Sequence, residues 1–124
     1  MKTDLKEIEN TLKDLLKAQV PPLRIRHEAE QGFEVCGTKE AMQGRQKVDG
    51  FYFASVIPKS NDVRFYFFPI YTHPTRYTEL SEEMRKALKG KSCFHIKKLS
   101  EDLENEIKSM IDRGVEIYAE EDFI

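Results

Sequence analysis

Few of the 124 residues have the type and spacing that chemistry demands. His73 stands between Thr72 and Pro74, and loops of this kind are where acid–base histidines are commonly held. No carboxylate lies beside it in sequence, so Glu28 or Glu79 would have to be brought up by the fold. His73 is thus the candidate acid/base of a small enzyme, but with no complete catalytic set around it, and no G-x-S-x-G nucleophile elbow occurs. Cys93 and His95 flank Phe94 and share one face of a strand, with Cys36 far off in sequence. A structural zinc takes two closely spaced ligand pairs, so the thiols read as small buried hydrophobes. Gly90-Lys91-Ser92 echoes a phosphate-binding loop, yet Arg85 fills the position of its first glycine. The segment follows a helical pattern, and a helix C-cap is the better reading.

Charge is unevenly spread. Lys and Arg number 20 against 22 Asp and Glu, a net charge of −2. That balance argues against general nucleic-acid binding, which calls for a basic excess. Residues 41–98, however, carry 11 basic and 5 acidic side chains, whereas residues 99–124 carry 2 and 9. Arg85, Lys86, Lys89, Lys91, Lys97 and Lys98 form a basic cluster, and Glu101, Asp102, Glu104 and Glu106 an acidic one. Acidic groups in a first helical turn complement the helix dipole, so the acidic cluster has a purely structural use. Whether the two clusters face one another or stand apart is a question for the fold.

The elements that position these groups follow from periodicity. Leu5, Ile8, Leu12, Leu15 and Leu16 form the apolar stripe of a first helix, with Asp4 and Glu7 resembling a capping box and Thr3 a competing cap. Pro21 and Pro22 end it. Leu23, Ile25 and His27 alternate with Arg24, Arg26 and Glu28 as a half-buried strand, and Phe33, Val35 and Cys36 suggest another. From Gly37 to Gly50 no period is visible, which reads as one long loop. Residues 51–57 and 63–68 are two strands joined by a turn, and eight of the thirteen aromatic residues fall between Phe51 and Tyr71. Strict alternation places Phe51, Phe53, Ile57, Val63, Phe65 and Phe67 on one face of this hairpin and Tyr52, Ala54, Val56, Tyr66 and Phe68 on the other. Both faces are then apolar, so both need a cover. A second helix is expected over 79–88 with Gly90 as its C-cap, and a strand over 93–96. A third helix capped by Ser100 is expected to close at Gly114.

The expected fold is one α+β domain over residues 1–124, an antiparallel or mixed sheet of about five strands with three helices mainly on one face. No apolar run is long enough to span a bilayer, and MKTDLKEIEN has no apolar h-region of a signal peptide. With only two cysteines, a reducing cytoplasm is the expected setting.

The order Gly50-Phe51-Tyr52-Phe53-Ala54, Phe65-Tyr66-Phe67-Phe68-Pro69, Leu88-Lys89-Gly90-Lys91-Ser92 and Phe94-His95-Ile96 resembles the bacterial YdhG-like domains, over about residues 20–115. These are small α+β proteins of unknown function, and the helix carrying Leu103, Ile107 and Met110 is placed as in them. Many members carry a Gly-x-Pro element before the hairpin; here Gly37-Thr38-Lys39 stands without the proline. Some relatives are regarded as frataxin-like iron chaperones, which implies iron as a cargo here. Hard iron ions accept oxygen ligands, and among the local candidates Glu101, Asp102, Glu104 and Glu106 the expected metal set is Glu101, Asp102 and Glu106, positions 102 and 106 sharing a helix face.

The leading expectation is a non-enzymatic binding domain. Its aromatic sheet face, with Tyr52, Tyr66, Phe68, Tyr71 and His73, would take a small-molecule ligand or a second copy of the chain. The Gly37–Gly50 loop and residues 71–77 would form the rim. Iron delivery and a His73 enzyme are the alternatives.

Overall fold

The computed structural model describes residues 1–124. Helix α1, Leu5–Lys17, begins where the Asp4 carboxylate accepts the Glu7 N–H at 3.0 Å. Seven strands follow: β1 (Arg24–Ala29), β2 (Gly32–Cys36), β3 (Ala41–Gln43), β4 (Gln46–Val48), β5 (Tyr52–Pro58), β6 (Val63–Phe67) and β7 (Cys93–Ile96). Between β6 and β7 lie helix α2 (Pro69–Thr72), a 3₁₀ turn (Pro74–Arg76) and helix α3 (Glu82–Ala87); helix α4 (Glu101–Glu120) comes last. Five strands form one antiparallel sheet in the order β1-β2-β5-β6-β7, and β3-β4 is a separate hairpin. The chain is therefore an α+β domain with its helices packed against one sheet.

Cross-strand register shows which side chains share a face. Phe33, Val56, Phe65 and Phe94 stand in one row, and Val35, Ala54 and Phe67 in the next. All seven are at most 1% exposed, and α1 and α4 cover them with Ile8, Leu12, Leu16, Ile107, Ile111 and Tyr118. The intervening rows, Glu34-Ser55-Tyr66-Cys93 and Ile57-Arg64-His95, belong to the opposite face.

This overturns strict alternation in the central hairpin. Val35 pairs with Ala54 but Cys36 with Tyr52, so Phe53 is the extra residue of a bulge. A bulge shifts everything beyond it by one place. Phe53 and Ala54 consequently both turn toward the helices, Val56 joins Phe65, and Ile57 goes out beside Arg64. The second face is mixed, not apolar, and it tolerates water as one side of an antiparallel sheet commonly does.

Three further expectations are corrected. The 37–50 stretch contains the β3–β4 hairpin, turning at Gly44 with φ +65°; three-residue strands with hardly any buried side chains leave no period to read. The helix expected over 79–88 spans only Glu82–Ala87, starting where the Ser81 hydroxyl accepts the Met84 N–H, and Gly90 (φ +92°) lies in the turn before β7 rather than at the helix cap. Helix α4 runs through Gly114 to Glu120 instead of ending there. A Cβ at Gly114 would stand 2.9 Å from the Phe53 ring and 3.2 Å from that of Phe67. The glycine is where α4 lies directly against the Phe53 and Phe67 rings, not a stop.

Candidate functional site

The sequence-expected site residues separate into three places. Tyr52, Phe68 and Tyr71 come together: the Tyr52 and Phe68 rings are 5.4 Å apart and those of Phe68 and Tyr71 5.6 Å. Phe51 backs Phe68 at 5.6 Å and stacks on Phe123 at 4.2 Å, so the group is anchored to the core. Tyr66 lies on the same outer face but one row on, across from Ser55 and Cys93. The Tyr52 hydroxyl meets Ser55 Oγ at 2.6 Å, and burial pushes its pKa well up.

The polar part of this face is paired within itself. Arg26 Nε donates to Glu34 at 2.5 Å, Arg64 Nε donates to Asp62 at 2.9 Å, and His95 Nδ1 stands 3.4 Å from the same carboxyl group. Asp49 sits 3.2 Å from Arg24. Opposite charges alternate along the face, which leaves no strong field of one sign over it.

His73 is not part of the aromatic group's contacts. Its Nδ1 lies 2.8 Å from the Thr72 hydroxyl and its Nε2 3.3 Å from Glu121, with Arg76 bonded to Glu120 at 2.9 Å alongside. The carboxylate that meets it comes from the end of α4, rather than from Glu28 or Glu79. Nε2 thus ties the 69–77 segment to that helix end, while the Nδ1 contact stays within the segment.

The acidic residues of α4 are dispersed among structural partners. Glu104 binds Lys2 at 2.8 Å, and Glu106 accepts the Ser81 N–H at 2.8 Å and the Ser81 hydroxyl at 2.6 Å. Glu101 and Asp102 lie exposed in the first turn. No three His, Cys, Asp or Glu side chains are grouped as a metal site, so Glu101, Asp102 and Glu106 do not meet at one point. The basic cluster is not neutralised by this helix either. Lys86 pairs with Glu82 at 3.3 Å and Lys91 lies 5.3 Å from the Tyr71 ring, while the carboxylates of α4 bind Lys2, Arg76 and Lys108, and those of Glu121 and Asp122 just after it meet His73 and Lys39. The two charge clusters thus remain separate patches.

Both cysteines are free and buried, and burial raises both thiol pKa values. Thiolate is the reactive form, so neither should label with a disulfide reagent at neutral pH within minutes, and both should label at once in denaturant. Fast labelling of one thiol in the native protein would contradict this packing.

Sequence reasoning missed one exposed apolar residue, Met42. It is 58% exposed on β3, next to Gln43, whose Oε1 accepts the Tyr52 N–H at 3.2 Å. A lone apolar side chain in an otherwise polar stretch was the available signal. Two clefts lie elsewhere, one lined by residues of the 77–80 segment and α4 and the other by Met1, Lys2, Leu99 and the start of α4. No helix is long and apolar enough to cross a membrane. No family model, curated protein or solved structure matches the chain.

Proposed function

We propose that this chain is a non-enzymatic binding domain whose helix-free sheet face associates with a second copy of itself. One observation carries the reading. Apart from Met1, the large hydrophobic side chains left exposed are Met42 and Tyr71, at 58% and 47%; the Tyr71 ring lies against Phe68, and Met42 precedes Gln43, whose side chain accepts the Tyr52 N–H. Exposed apolar groups gathered at one place mark interaction surfaces.

A second copy suits the surface better than a small molecule. The face is a sheet surface and contributes no residue to either of the two clefts described above. Its charges are already paired, so an identical face approaches without like-charge repulsion. The outer strand β1 is bulged at Arg26 and carries Arg24, His27 and Glu28, features that discourage edge-to-edge pairing. Face-to-face association about a twofold axis suits such a surface, twofold symmetry being the commonest in homodimers. Five strands at ~4.8 Å and about five residues at ~3.3 Å give roughly 400 Å² of flat surface. A stable interface takes about 800 Å² per partner, so the β3–β4 hairpin and the 68–71 shelf must contribute, and the dimer belongs to the weak, micromolar class.

Light scattering over a concentration series tests this. The wild type should pass from monomer to dimer, and Met42→Glu/Tyr71→Glu should stay monomeric with an unchanged unfolding curve. A wild type that is strictly monomeric at millimolar concentration rules the reading out.

A further inference from the structure

We infer that the cleft between the 77–80 segment and α4 is a binding site for a small zwitterion of the α-amino acid class. The cleft has a volume of about 150 Å³, and Tyr77, Leu80 and Met110 provide its apolar lining. Three charged side chains share it: Glu79, Glu106 and Arg113. Opposite charges in one cleft would ordinarily close on each other, yet none of the three is in an ion pair, whereas their neighbours Arg76, Lys108 and Asp112 all are.

The fixed contacts explain why they stay apart. Arg113 Nη1 donates to the Arg76 carbonyl at 2.8 Å, which sets the guanidinium in place and leaves its other N–H groups free. Glu106 is held by the N–H and hydroxyl of Ser81, the cap of α3. The floor is equally fixed, since the Tyr77 hydroxyl donates to the Met110 carbonyl at 2.9 Å. Glu79 follows Tyr77 and Thr78 on the other wall. A molecule with a carboxylate and an ammonium on one carbon satisfies both signs at once. The guanidinium fork matches a carboxylate in shape as well as charge, the ammonium answers Glu79 with Glu106 behind it, and a short side chain meets the apolar lining. Cavities of this volume admit ligands of about six non-hydrogen atoms, the size of alanine.

The test is an amide-resolved NMR titration of the intact ¹⁵N-labelled chain with L-alanine, ethylamine and propionate, the last two each lacking one of the charges. Alanine should shift the amides of residues 77–81 and 106–113 in a saturable manner. Each single-charge analogue should bind roughly ten- to a hundredfold more weakly, as a lost charged hydrogen bond requires. Arg113→Gln and Glu79→Gln, both at exposed positions and checked for an unchanged spectrum elsewhere, should weaken alanine by the same factor. No saturable shifts with alanine, equal shifts with all three compounds, or full affinity in both variants would each overturn the assignment.

Discussion

Replacing Gly114 with alanine should destabilise the domain by about 1 kcal/mol, although alanine is the better helix former. Glycine in a helix interior costs about 1 kcal/mol relative to alanine, so a gain is expected if propensity decides. Packing decides otherwise. The new methyl carbon would lie 2.9 Å from Cε1 and Cζ of Phe53 and 3.2 Å from Cζ of Phe67. Those rings cannot swing aside cheaply: both are wholly buried, and Phe53 is set edge-on against Phe67 at 5.6 Å and Tyr118 at 5.0 Å. Overpacking a closed core costs about 1–3 kcal/mol, which exceeds the propensity gain. Gly114→Leu adds three more carbons where there is no room and should prevent folding. Urea denaturation of the alanine variant gives the sign directly; a midpoint above wild type would show that the rings yield.

The second large effect is alkaline unfolding. Tyr77 and Tyr118 are 6% and 0% exposed, and each donates its hydroxyl to a backbone carbonyl, of Met110 and Tyr52 respectively. Burial is the main cause that raises both phenol pKa values far above the ordinary 10.0, and that of Tyr52 as well. A group whose pKa is raised in the folded state keeps its proton there after the unfolded chain has lost it. The stability it contributes is complete below pH ~10 and is lost as pH rises above that value. Each such tyrosine steepens the loss by about 1.4 kcal/mol per pH unit. Stability should therefore be flat through neutrality and collapse above pH ~10, with tyrosinate absorbance from these residues appearing together with unfolding. Tyrosinate formed in a still-folded chain, at an ordinary pKa for all five tyrosines, would contradict the packing.

How much of this was legible in the sequence depends on how local its cause is. The Asp4 and Ser100 caps, the α1 stripe and the two aromatic strands are set within a few residues, and the structure contains them as expected. The Phe53 bulge, by contrast, is a property of the β2–β5 pairing. Nothing within residues 51–57 announces it, and missing it puts Ala54, Val56 and Ile57 on the wrong faces. Gly114 shows the same limit, because a glycine near a helix end and a glycine beneath a phenylalanine look alike in one dimension. The aromatic group of Tyr52, Phe68 and Tyr71 was visible as composition, and the structure adds which rings touch. The His73–Glu121 contact spans 48 residues and could be read from neither neighbourhood. The near-cancellation of charge concealed two patches, and the fold leaves them unpaired with one another because α4 turns its carboxylates to Lys2, Ser81, Arg76 and Lys108.

The claim that the helix-free face is the working surface is tested most directly by amide chemical shifts followed through a dilution series of the wild-type chain. The account predicts concentration-dependent shifts at Met42, Tyr52, Ser55, Tyr66, Phe68 and Tyr71, and none along the outer sides of α1 and α4. Shifts confined to those helices, or none anywhere in the series, would contradict it.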